Sequence, residues 1–413
     1  MRISHHEITA LLIQLGVMLL AGRLLSELAR KVRQPAVVGE ILAGILLGPT
    51  LLGYYQPELF QKIFHIGQSS LVLDGFVQVA VVLLLFIAGL EVDLHVVWQQ
   101  GKQALYTSFF GLVIPFAFGF CLPYVLTDYF VAADDNLRLA QALFMGISMA
   151  ITALPVIVRI LMDINMFKSK MGMLVISSAM ITDLVGWLVL SVVLTMMGRN
   201  NDMDWFHTLW LTLGFTLILL TIGRNLINRA LPWVNKHTAW PGGLLSISLA
   251  LCFLAAAFTE SIGIHAIFGA FIIGVAMGDS EHFPERAKEI VHQFINNIFA
   301  PLFFVAIGLK VNFVANFDFM LTLIIIVIAF AGKIIGSGFG TRLGGFTLRE
   351  SLAVGFGMNA RGAMEIVLGL VALEYGLINE TIFVSLVIMA LVTSMSSGPL
   401  MKWILRIPAT KQN

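Results

Sequence analysis

Thirteen apolar runs, each close to the length that crosses a bilayer, follow one another along this chain. A membrane-spanning helix needs roughly 20 such residues. In lipid every backbone polar group must be satisfied internally, so a chain of long apolar runs folds as packed helices. The runs lie at about 8–28, 36–53, 71–91, 103–126, 137–162, 171–197, 205–230, 241–258, 264–278, 294–310, 319–342, 349–374 and 379–403. Charged residues are 12% of the chain and hydrophobic ones 58%, whereas a soluble domain carries about 25% charged residues. The expectation is an all-α polytopic membrane protein. No basic cluster suits nucleic acid, so no such partner is expected. Cys121 and Cys252 fall inside apolar runs and read as small buried hydrophobes. With neither CxxC nor HExxH, zinc chemistry has no support. Met1–Glu7 leads directly into a full-length span, so no cleavable signal is expected. The chain stops soon after its last span, and no soluble regulatory domain is expected within it.

Loop charge orients the spans. With the C-terminus cytoplasmic, lysines and arginines divide eighteen inside to five outside, the bias that sets topology in membranes. The N-terminus is then outside, and the expected location is a cell (inner or plasma) membrane. The connection 279–293 mixes charges with Phe283 and Ile290 and suits an interfacial amphipathic helix.

The spans repeat. Gly39, Gly44 and Gly48 in span two recur as Gly269, Gly274 and Gly278 in span nine, offset by 230. Ala88-Gly89-Leu90 at the end of span three is echoed by Ile307-Gly308-Leu309 in span ten. Leu137, Arg138, Ala142 and Gly146 of span five recur in span twelve as Leu348, Arg349, Ala353 and Gly357, offset by 211. Partners lie seven spans apart, so each pair runs in opposite directions. This is the pattern of an inverted-topology repeat, in which interrupted helices build a midplane binding site. Span five carries Thr152-Ala153-Leu154-Pro155 at its centre, where the proline removes a donor and clashes with the carbonyl four residues back. Span twelve carries Asn359, Arg361, Gly362 and Glu365 at the matching depth. Two crossed, broken helices are expected there, with carbonyls near Ala153 available to a cation.

Ionisable residues inside a membrane are costly and mark function. Asp183 stands near the middle of span six, and Lys333 lies among small residues in span eleven. Lys333 has two expected roles: a buried pair with Asp183, or neutralisation of the broken-helix ends, which carry about half a charge each. Arg361 and Glu365, four apart on one helical face, are expected to form an internal ion pair that steadies the break. Glu27, Glu40, Asp74 and Glu91, near span ends, are expected at the interface. His265 reads as a helix-start or packing histidine.

Glu40-Ile41-Leu42-Ala43-Gly44-Ile45-Leu46-Leu47-Gly48-Pro49, Leu85-Phe86-Ile87-Ala88-Gly89-Leu90-Glu91, Gly269-Ala270-Phe271 and Asn359-Ala360-Arg361-Gly362-Ala363-Met364-Glu365 carry a family likeness. From about Ile8 to Trp403 the chain resembles the monovalent cation:proton antiporters of the Kef/NapA branch. That resemblance implies thirteen helices in an NhaA/NapA-like fold, a homodimer, and a core that moves against a dimerisation domain as an elevator. The core is expected at about 71–197 and 294–403, and the dimerisation scaffold at about 8–53 and 205–278. The family's ion-binding carboxylate matches Asp183 and its basic residue matches Lys333. The chain departs from the family at Thr182, where electrogenic members carry a second aspartate, many electroneutral ones asparagine and Kef-type proteins glutamine.

One carboxylate serving two ligands explains exchange. A proton and a bare Na⁺ or K⁺ compete for the oxygens of Asp183, and alternating exposure does the rest. Hard cations take oxygen ligands, so Thr182, Thr152 and the Ala153 carbonyl are expected to complete the shell, with no cofactor beyond the transported ions. A single carboxylate suits one-for-one exchange; proton release by Lys333 in each cycle would instead make it electrogenic. The alternative is a sodium- or proton-coupled organic anion symporter on a similar scaffold, which needs a wide polar cavity. A channel would need a filter-like loop. An enzyme would need a nucleophile–base pair or two catalytic aspartates, and the residues next to His265 in sequence offer no nucleophile.

Overall fold

A computed structural model describes residues 5–31, 34–64, 69–92, 94–130, 132, 135–164, 166–167, 169–196, 205–280 and 282–406. All its regular elements are helical. The first are α1 (His5–Lys31), α2 (Ala36–Leu47), α3 (Leu52–Tyr55), α4 (Pro57–Phe64), α5 (Ser69–Leu90) and α6 (Leu94–Val125). They are followed by α7 (Asp135–Ala150), α8 (Leu154–Asp163), α9 (Lys170–Met196), α10 (Trp205–Ile218) and α11 (Arg224–His237). Next come α12 (Gly242–Ser261), α13 (Ala266–Gly278), α14 (Glu285–Phe294) and α15 (Ala300–Lys310). The last are α16 (Phe319–Leu343), α17 (Leu348–Gly357), α18 (Ala363–Glu374) and α19 (Glu380–Leu405). Wider π turns join α10 to α11 at Leu219–Gly223 and α14 to α15 at Ile295–Phe299.

Ten helical stretches among the described residues are long and apolar enough to cross a membrane. Several predicted spans are not single long helices; span two divides into α2 and α3. Spans five and twelve are each interrupted, and span nine is the 13-residue α13. The charged connection before span ten forms α14, which continues through its π turn into α15 as one stretch, Glu285–Lys310. Side chains cap several helix starts, where the first backbone N–H groups lack intrahelical acceptors. Asp318 accepts from Leu321 N at 2.7 Å, Asn379 from Ile382 N at 2.9 Å, and Thr347 with Glu350 forms a capping box on α17. His265 fits its helix-start reading: its ring accepts from Ile267 N at the beginning of α13.

The chain packs as two units, residues 1–91 with 216–317, and 92–215 with 318–413. In the first, glycines bring backbones together. A Cβ on Gly44 would meet Val305 O and lie 2.9 Å from Gly308 Cα, which locks α2 onto α15. A Cβ on Gly274 would meet Phe86 O and lie 3.0 Å from Gly89 Cα, which locks α13 onto α5. Spans 71–91 and 294–310, grouped above with the core, therefore pack inside the first unit, held by these glycine contacts.

Two expectations are corrected. Glu40 is not interfacial: it is 6% exposed. Gly39 presses α2 against the backbone at Leu25 and Ser26, and Ser26 Oγ lies 3.2 Å from a Glu40 carboxylate oxygen. Cys252 is buried as expected, but Cys121 is exposed on α6. At the span ends, Glu27 pairs with Arg23 and Arg30, Asp74 with Lys310 at 2.9 Å, and Glu91 with His292 at 3.1 Å.

Candidate functional site

Every residue expected at the ion site lies in the second unit. Helix α7 stops at Ala150, residues 151–153 are non-helical, and α8 begins at Leu154. Pro155 accounts for the break, because its ring would collide with the Ile151 carbonyl of a continuous helix. Helix α17 stops at Gly357 and α18 resumes at Ala363. The two interruptions are joined through backbone and hydroxyl. Ala153 N donates to Ala360 O at 2.9 Å, and the Thr152 hydroxyl donates to Met358 O at 2.7 Å. Gly362 makes the approach possible: a Cβ there would lie 2.8 Å from Val156 Cγ2 and 3.2 Å from Ala153 Cβ.

A helix leaves its last carbonyls without intrahelical donors and gathers about half a negative charge there. At the end of α7 two cations answer that charge. Arg361 donates through Nη1 to Ser148 O and through Nη2 to Met149 O at 2.8 Å. Lys333 Nζ donates to Ala150 O, to Thr152 Oγ1 at 2.8 Å and to Gly111 O at 3.2 Å. Lys333 thus contacts the end of a broken helix. Arg361 also pairs with Glu365 at 2.7 Å, both side chains being almost wholly buried.

Asp183 is 4% exposed in the middle of α9. One turn later a Cβ on Gly186 would lie 2.6 Å from Ile151 Cγ1, so this stretch of α9 packs on the α7–α8 break. The groups expected as ligands make local hydrogen bonds. The Thr182 hydroxyl donates to Ala179 O at 2.9 Å, and Ala153 O accepts from Ile157 N at 3.1 Å. Thr152 Oγ1 gives its proton to Met358 O while accepting from Lys333. No group of three His, Cys, Asp or Glu able to hold a metal ion occurs among the described residues. A cavity of about 270 Å³ lies in the first unit, between Phe64, Asp74 and Lys310, and none of the predicted site residues lines it.

Sequence reasoning missed Ser394 and Gly111. Ser394 on α19 accepts from Arg361 N at 3.1 Å, and its hydroxyl donates to Arg361 O, tying the second break to the last helix. The hydroxyl-rich run Thr393–Ser397 was the available signal. Gly111 contributes only its carbonyl, and such a role leaves no trace in residue type.

An all-helical membrane protein with a buried carboxylate beside two joined helix breaks has the make-up of an ion carrier. The transmembrane sodium/hydrogen exchanger family model matches residues 16–407, and the chain belongs to that family. It is 31% identical over 406 residues to the Na(+)/H(+) antiporter NhaS4 of Synechocystis sp., covering 97% of this chain and 99% of that one. It is 34% identical to cation/H(+) antiporter 17 of Arabidopsis thaliana, covering 96% of this chain and 48% of the relative. The chain thus spans about half the length of the plant relatives it matches. Its fold is like that of the sodium proton antiporter MjNhaP1 from Methanocaldococcus jannaschii, with a TM-score of 0.65 and 17% identity over 97% and 99% of the two chains.

Proposed function

We propose that this protein exchanges a monovalent cation, Na⁺ or K⁺, for protons across a membrane, with Asp183 as the group that carries either ion. The observation that carries this reading is Asp183 buried at the α7–α8 break, where two fixed cations cap the helix end. A buried carboxylate that binds a proton or an alkali ion presents the same net charge in both loaded forms. A bare carboxylate adds an uncompensated charge, which an apolar interior strongly disfavours. The carrier therefore crosses loaded, and each ion leaves the site for the other. The relatives named above are antiporters, which favours exchange over organic-anion symport.

Thirteen spans follow if the ten long stretches are joined by α13 and the two interrupted pairs, α7–α8 and α17–α18. The inverted repeat is supported by the glycine contacts of the first unit. Exchanging repeat partners turns the Gly44–Gly308 contact into the Gly274–Gly89 contact. The hydrogen bonds between the breaks support crossed helices. We take the second unit as the part that moves and the first as the scaffold of a homodimer. A cell membrane with N-terminus outside and C-terminus cytoplasmic follows from loop charge.

The test is proteoliposome exchange, with Na⁺, K⁺ and Li⁺ titrated against an internal pH dye. Wild-type protein is expected to move protons on addition of Na⁺ or K⁺. Asp183→Asn should abolish that movement while remaining folded and inserted. Wild-type exchange in the variant would overturn the mechanism.

A further inference from the structure

Asn359 lies inside the α17–α18 break, between the two residues that hold the break to Thr152 and Ala153. Met358 O accepts from Thr152, and Ala360 O accepts from Ala153 N. The backbone of Asn359 is engaged too, through its N–H to Phe356 O at 3.3 Å. Its side chain is different. It is fully buried, and neither its amide oxygen nor its amide nitrogen has a hydrogen-bond partner among the described residues. A buried polar group left unpaired is costly, and lipid provides no water to offset that cost. An apolar residue of similar size would avoid that cost, so the amide has a use that the protein alone does not display.

We propose that Asn359 Oδ1 is a ligand of the transported alkali cation and the neutral member of a site whose charge is Asp183. The proposal rests on the exchange reading above. Thr152 Oγ1 already accepts from Lys333 and the Ala153 carbonyl from Ile157 N, so each has a lone pair engaged, while Thr182 only donates and keeps its oxygen for an ion. The Asn359 amide oxygen keeps both lone pairs for a hard cation, which takes oxygen ligands. Glu365 also keeps one carboxylate oxygen, Oε1, without a hydrogen-bond partner among the described residues, but its charge is met by Arg361. The amide does not bind a proton in the physiological range. Asn359 therefore favours the metal ion over the proton in their competition for Asp183, and its removal weakens one ligand and spares the other.

The experiment uses the full chain and three variants, Asn359→Leu, Asn359→Asp and Asp183→Asn, with Na⁺, K⁺ and Li⁺ chlorides as probes and choline chloride as control. Asn359→Leu removes an unpaired polar group and should fold, with a thermal midpoint in choline at or above wild type. Its apparent KM for the transported cation should rise at least tenfold, with a smaller fall in maximal rate, and the thermal shift produced by that cation should shrink accordingly. Its pH profile at fixed cation should move to higher pH by about one unit per tenfold loss, because a proportionally lower proton concentration restores the balance. Asn359→Asp keeps an oxygen in place and should retain the cation-induced thermal shift. A wild-type KM and thermal shift in Asn359→Leu, with exchange intact in the wild type and lost in Asp183→Asn, would overturn this inference alone. No cation-dependent proton movement by the wild type would overturn the exchange reading and this inference with it.

Discussion

Lys333 Nζ makes three contacts, and each needs a proton from nitrogen. Gly111 O and Ala150 O can only accept, and Thr152 has already given its proton to Met358 O. Three acceptors around one nitrogen suit an ammonium, which has three donors and no acceptor. Its role in the structure is to close the end of α7, next to the two carbonyls that Arg361 closes. Lys333→Ala would leave that helix end without one cation and Thr152 without its donor. Hydrogen bonds to charged groups contribute about 1.5–3 kcal/mol each in soluble proteins and on average less between membrane helices. The expected loss is therefore a few kcal/mol, read as a lower midpoint of thermal unfolding in detergent, with cation-driven proton movement slowed but present. An unchanged midpoint with complete loss of exchange would place Lys333 in the ion cycle instead. The importance of Lys333 was legible in the sequence as a charge in an apolar span. Its acceptors were not, because two of the three are backbone carbonyls of distant segments, and a carbonyl carries no residue signature.

At the scale of elements, the glycines decide the packing. Gly308 of α15 sits so close to α2 that a Cβ would lie 2.6 Å from Gly44 Cα and closer still to the neighbouring backbone. Backbone cannot move aside as a side-chain tip can. Overfilling a packed site costs about 1–3 kcal/mol, sometimes more. Gly308→Leu should thus prise α15 from α2 and abolish monodisperse protein on size-exclusion chromatography. Gly16→Leu, where a Cβ would meet nothing within 4 Å, should elute as wild type. Equal behaviour of the two variants would remove the glycine contacts as the cause of this packing. The same residues show where sequence reading stops. The spacing Gly39, Gly44, Gly48 was legible as half of a repeat, and Pro155 and Gly362 as helix breaks. Which glycine meets which was not, since small residues permit close approach without naming a partner. That is why the spacing does not show that Gly89 and Gly308 hold residues 71–91 and 294–310 in the first unit. Glu40 was misplaced for the same reason. A carboxylate near a span end looks interfacial until Gly39 is seen to draw it against Ser26.

For the whole molecule the open quantity is net charge moved per cycle, and the site bears on it directly. On the proposed reading the second unit carries one acidic group at its exchange position, because Thr182 stands beside Asp183 and Glu365 is paired with Arg361. The remaining titratable group, Lys333, has each of its three protons in a hydrogen bond. Releasing one in every cycle would break a bond at the α7 end and leave a lone pair facing an acceptor. One proton is therefore expected to return for each cation that leaves, with no net charge transferred. This can be measured without knowing rates. In proteoliposomes the cation gradient that just halts proton movement at a fixed pH gradient is found with and without an imposed voltage. One charge moving through 100 mV is worth about 2.3 kcal/mol, and every 1.4 kcal/mol is about tenfold in a ratio. An exchanger that moves two protons per cation would need its balancing cation ratio changed by about fifty-fold at that voltage. One-for-one exchange at Asp183 requires no change at all. A voltage-dependent balance point that became voltage-independent in Lys333→Ala would show that the lysine gives up its proton in each cycle, and would overturn the assignment of Lys333 as a fixed cap.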